Sequence, residues 1–176
     1  MRTLAMPCSI HILSSLLLFL ILIAGNNLSA QTNSFPLNTG DIAFNALLDD
    51  SSFIICNPNE VFQYYNTGSY YKQHKREIEQ YFKRNYRPAV QTTEQTGYLT
   101  IRFIINCSGK TGRFRMYELD AHHQPYKFDD RISSQLMTLT KDLKNWQPAE
   151  YKNKIYDSYQ YISFKLKKGA IECVLP

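Results

Sequence analysis

The sequence predicts an α+β fold: an antiparallel sheet of three to four strands with two helices packed on one face. Three observations predict it. From Gly97 to Asn106 apolar and polar residues alternate with the period of a half-buried strand. Ile132, Leu136, Leu139 and Leu143 recur at the spacing of a helix with one buried stripe. Ile162, Phe164 and Leu166 then restore the period of two before a turn at Lys167-Lys168-Gly169.

Residues 1–30 are expected to lie outside that fold. Arg2 provides a positive start, Ile12 to Ala24 is almost wholly apolar, and Leu28-Ser29-Ala30 offers a small-residue cleavage site. This is the layout of a secretory signal peptide, cleaved after Ala30. A membrane-spanning helix needs about 20 apolar residues, and Gly25-Asn26-Asn27 interrupts the run too early. No stable membrane span is therefore expected after processing. Residues 31–68 form a partly ordered N-terminal leader, and 69–176 form the domain. Removing 30 of 176 residues leaves 146, which suits one domain with a modest core. Loss of Arg2, with no acid removed, lowers the net charge from +5 to +4. A mild positive balance suits solubility or attraction to anionic surfaces. Nucleic acid is not an expected partner of an exported protein.

Within the domain, Ser69 is placed to cap a helix running to about Asn85, with Ile78 and Phe82 four residues apart on its buried face. Arg87-Pro88 stops it, because the residue before proline disfavours helix. In the first long strand Leu99, Ile101, Phe103 and Ile105 share one face, and Thr100, Arg102 and Asn106 the other. Ser108 to Gly112 makes the hairpin turn, and Phe114-Arg115-Met116-Tyr117 begins the returning strand. Asp129 or Asp130 caps the second helix, Lys141 and Lys144 suit its C-terminal dipole, and Pro148 prevents continuation. Ala170 to Leu175 forms a fourth strand after the last turn. The stretch from Ala46 to Gly68 shows no clear period, although Phe53 to Cys56 has the makings of a short strand.

Three cysteines follow the signal segment: Cys56, Cys107 and Cys173. Export favours a disulfide, and the odd count leaves one thiol over. Cys56 and Cys107 lie at loop ends, where bridging geometry is freer, so Cys56–Cys107 is the favoured pair. Cys107–Cys173 between neighbouring strands is the alternative. No Cys-x-x-Cys spacing suggests zinc or redox chemistry.

The remaining motifs carry little chemistry. Gly109-Lys110-Thr111 ends like a phosphate-binding loop, but Ile104 stands where the earlier glycine is needed and a strand follows. Asp120, His122, His123, Asp129 and Asp130 cluster without helical His-x-x-x-His spacing, so a polar loop is expected and no metal. No nucleophile motif is present and no cofactor is expected. Tyr156, Tyr159 and Tyr161 are the candidate binding surface. Tyr159 and Tyr161 fall opposite Ile162 and Phe164, so that face can be aromatic and exposed. The competing reading is ordinary strand preference for tyrosine.

The succession helix, Asn85-Tyr86-Arg87-Pro88, Gly97, Phe103-Ile104-Ile105-Asn106, Gly109, helix, Trp146-Gln147-Pro148, Phe164-Lys165-Leu166 resembles the C-terminal domain of TonB, over roughly residues 75–167. The resemblance implies a non-enzymatic binding or scaffold domain in a Gram-negative envelope, periplasmic or secreted, with an envelope protein or peptide as partner. Members of that family bind a transporter peptide as a strand added beside the third strand. Here Ala170–Leu175 is placed to cover that edge, and the seven prolines are scattered rather than gathered in a spanning segment. The alternatives are an accessory of TonB-dependent transport, or a small envelope hydrolase whose site comes from residues distant in sequence.

Overall fold

The computed structural model describes residues 42–63, 75–88 and 94–175. The expected signal peptide, its cleavage site and the helix cap at Ser69 lie outside them. The elements run β1 (Val61–Gln63), α1 (Lys75–Asn85), β2 (Gly97–Ile105), β3 (Thr111–Asp120), α2 (Asp130–Asp142), β4 (Ala149–Tyr151), β5 (Lys154–Lys167) and β6 (Ala170–Leu175). The class is α+β, but among the described residues the sheet has six strands rather than three to four, and it is mixed rather than antiparallel. Its path is β1-β5-β2-β3, with β4 and β6 also paired to β5. The parallel member is β1, which sets Val61 against Asp157 and Gln63 against Tyr159.

The period-two residues make the main core. Leu99, Ile101, Phe103 and Ile105 of β2 are fully buried with Ile162, Phe164 and Leu166 of β5. Ile78 and Phe82 of α1, and Ile132 and Leu136 of α2, pack into the same cluster, so both helices cover one sheet face. Phe82 meets Phe164 edge-on at 4.7 Å between ring centroids, and Phe103 meets Trp146 at 5.2 Å. Such geometry suits the opposed charge of ring face and edge.

Local chemistry sets the boundaries. Of the two candidate caps, Asp129 starts α2, its side chain accepting the Arg131 N–H. The Arg131 guanidinium also bonds that carboxylate and holds its pKa down at about 2. Beyond α1, the Tyr86 hydroxyl donates to the Gly169 carbonyl at 2.7 Å, tying the helix end to the β5–β6 turn. Burial pushes the Tyr86 phenol up to about 12. Arg87 and Gln135 exchange hydrogen bonds, joining α1 to α2. Gly109, at φ 73°, turns the β2–β3 hairpin beneath Trp146, where an added Cβ would lie 2.6 Å from the Trp146 carbonyl oxygen. Both demands exclude other residues there.

β5 starts at Lys154, well before Ile162, from which its period is legible. A two-residue turn at Lys152 and Asn153, both with positive φ, folds β4 back on its start. This is the turn geometry that matches the strand twist. The early half of β5 escapes a periodicity reading because Asp157, Ser158 and Gln160 are polar and buried.

Candidate functional site

The two sheet faces are covered differently. Opposite the helices, a strap of residues 42–63 crosses the sheet. Its Ile42, Phe53, Ile55 and Val61 pack on Ile104 and Tyr159 in a small second cluster. Phe53 presses so closely on β3 that a Cβ on Gly112 would lie 2.3 Å from the Phe53 ring. The area buried is small, and point contacts supply the rest.

Those contacts converge on Cys56 and Cys107, which are disulfide-bonded across 51 residues of sequence as expected, leaving Cys173 unbridged. Beside the bridge, Asp157 is 1 % exposed. Its carboxylate accepts the backbone N–H groups of Cys56 (3.2 Å), Asn57 (2.8 Å) and Cys107 (3.0 Å). A buried carboxylate needs such donors, and each bond to a charged group is stronger than a neutral one. Asn106, also buried, accepts the Ser108 and Lys110 N–H groups while its amide donates to the Ile54 carbonyl. Both the β2–β3 turn and β5 thus hold the strap by side chains that the hydrophobic pattern does not reveal.

The front of the strap is fixed by two arginines of β3. Arg115 makes a two-pronged pair with Asp49, both bonds 2.7 Å, and also donates to the Ala43 carbonyl. The pair lowers the Asp49 carboxyl below its ordinary 3.8 and raises the Arg115 guanidinium. Arg113, at φ 54° next to the register shift between β2 and β3, donates to the Ile42 carbonyl and lies over the Phe44 ring. The irregularity re-aims this side chain, a common use of a bulge.

The third element is the outer edge of β5. On its inner side β2 pairs along residues 158–166. On the other side β6 pairs antiparallel with residues 163–167, as expected for Ala170–Leu175, while β1 takes residues 157–159 in parallel. Between them the Tyr161 N–H is met by the Gln160 side chain at 3.1 Å. Two segments of the same chain therefore occupy this edge among the described residues.

The three candidate tyrosines are not brought together. Tyr159 is 5 % exposed beneath the strap rather than on an open face. Tyr161, two residues on, shares its sheet face but is half-buried. Tyr156 falls on the opposite parity and lies against Phe62, ring centroids 4.3 Å apart, with the Lys154 ammonium over it. The reason is the strap, whose apolar residues are too scattered to announce a covered face.

Cys56, Cys107 and Asp157 are close enough to suggest a metal site. Their chemistry does not fit one, since the sulfurs are joined and the carboxylate accepts three N–H groups. The Asp120 loop closes on itself, its carboxylate accepting the His122 and Gln124 N–H groups, while His123 stacks on Tyr98. No helix among the described residues is long and apolar enough to cross a membrane. Sequence reasoning missed Asp157, Asn106 and the Asp49–Arg115 pair. The available signal was a charged residue inside a run of strand-forming tyrosines. Compared with protein-family models, curated proteins and solved structures, the chain has no match.

Proposed function

We propose that this chain is an exported, non-enzymatic binding or scaffold protein of the Gram-negative cell envelope, with a domain of TonB C-terminal type. The observation that carries the reading is the order α1-β2-β3-α2-β5 with both helices on one sheet face. Gly109 at the β2–β3 hairpin and Trp146 packed on Phe103 are consistent with that reading. The Cys56–Cys107 bridge supports an oxidising compartment, periplasmic or secreted.

The outer edge of β5, through which TonB-type domains take a peptide, is held here by β6 and β1. That favours a scaffold with another binding surface over an accessory of transport. A strand needs an unpaired row of backbone groups to add to a sheet.

Export is tested by expressing the full gene product in a Gram-negative host and measuring the intact mass of the protein from the envelope fraction. The expected species begins at Gln31 and carries one disulfide. A product that retains Met1, or stays reduced in the cytoplasm, overturns the proposal.

A further inference from the structure

Where the β2–β3 turn, the end of α2 and the strap meet, the structure forms a cleft of about 450 Å³. Its apolar surface includes Phe53 and Phe114, and Lys110, Arg113, Lys141 and Lys144 line it from three separate elements. That volume lies in the range of small-ligand sites.

The charges here are unbalanced. Asp49 is already neutralised by Arg115, and the Asp50 carboxylate accepts the Ser52 N–H. Among the described residues no carboxylate lies within ion-pair distance of any of the four cations, although the Arg113 charge also helps to keep Asp49 ionised. Their contacts are of other kinds: Lys141 lies 5.6 Å from the Phe114 ring centre, and the Lys144 ammonium donates to the Lys141 carbonyl. The buried Nε of Arg113 has no hydrogen-bond partner among the described residues. Elsewhere on the surface lysines do find carboxylates, as Lys83 does with Glu79 and Lys165 with Glu172. Like charges gathered in a concave, partly apolar site focus a positive potential into it.

We infer that this cleft binds a small organic polyanion of the phosphate class, with an apolar or aromatic part resting on Phe53 and Phe114. Lys110, Lys141 and Lys144 meet the anionic groups at the mouth, and Arg113, its guanidinium bonded to the Ile42 carbonyl, adds its positive charge from β3. An aromatic base with the Lys141 ammonium over Phe114 and further cations at the rim suits a phosphorylated ring better than a bare ion. The same chemistry occurs in a free phosphorylated metabolite and in a phospholipid headgroup, so the test separates those sources.

The oxidised protein is titrated calorimetrically with phenyl phosphate and with pyrophosphate, and by co-sedimentation with vesicles containing one quarter phosphatidylglycerol in phosphatidylcholine. The comparison is between Lys110→Gln/Lys144→Gln and Lys167→Gln/Lys168→Gln, which removes equal charge at the β5–β6 turn. Both pairs are exposed, so the fold should tolerate them. Saturable binding of either soluble probe, weakened at least tenfold by the cleft pair alone, is the expected result. Binding confined to vesicles but weakened selectively by the cleft pair also supports the site and identifies the headgroup as its source. No saturable binding to any probe, or weakening by both pairs alike, overturns the inference.

Discussion

The helix-covered and strap-covered faces of one sheet are held by different physics. On the helix side, side chains at periods of two and of three to four interlock over a continuous apolar area. On the strap side, a small cluster around Ile104 and Tyr159 is supplemented by one disulfide, one buried carboxylate, one amide and two arginines. Burial by area is distributed, so every residue shares the load. Attachment by points concentrates it, so single groups should control when the strap is on. The first face should therefore unfold with the whole domain, and the second should be separable from it.

The largest effect is expected on the helix side. Phe164→Ala removes a fully buried ring that packs against Phe82 and should cost about 3–5 kcal/mol. Urea unfolding followed by Trp146 fluorescence measures it, and exchange protection should fall throughout the sheet. A loss below about 1 kcal/mol would mean that the face can re-pack and is not held by area.

Next comes the bridge. Cys56→Ser/Cys107→Ser opens a 51-residue separation, worth about 4 kcal/mol by chain entropy. Hydrogen exchange should show residues 42–63 losing protection at once, while the amides of β2 remain slow. Uniform loss across both faces would break the comparison by showing one cooperative unit. Asp157→Asn should act in the same place at about 2 kcal/mol, since an amide is a poorer acceptor for the three N–H groups. If its exchange pattern resembles that of Phe164→Ala, the carboxylate supports the core and not the strap.

What could be foreseen follows the same division. Leu99 to Ile105, Ile132, Leu136 and Ile162 to Leu166 repeat with the period of their element, so most of the helix face was legible. The disulfide was legible from the expected export and from loop position. The strap was not, because Ile42, Phe53, Ile55 and Val61 stand among Asn, Asp and Ser without a period. Nor were β1, too short for a pattern, and the early half of β5, where Asp157 and Ser158 break the alternation. A carboxylate that bonds the backbone about a hundred residues earlier leaves no local trace.

Opposite ends of the pH scale should separate the faces further. Asp49 is ionised by preference in the folded state, so its pair with Arg115 stabilises above the ordinary carboxylate value and is lost as pH falls through its lowered pKa. The stability gap between the wild type and Asp49→Asn should therefore close in acid. Tyr86 titrates at about 12 instead of 10.0, so its contribution is complete below pH 10 and disappears as pH rises towards 12. The wild type should lose that stability in alkali and Tyr86→Phe should not. Urea midpoints at pH 3, 6, 9 and 11 measure both, and a gap that does not change with pH would assign either residue no titrating role.

The most direct measurement concerns the edge of β5, where β1 from the strap side and β6 from the end of the helix-packed domain meet the same strand. Synthetic peptides carrying the TonB-binding segments of outer-membrane transporters are titrated against the intact oxidised protein and against a form lacking residues 169–176. The intact protein should show no saturable binding, and the truncated form should gain weak binding or dimerise through the freed residues 163–167. Tight binding to the intact protein would contradict a closed edge and restore the transport-accessory reading.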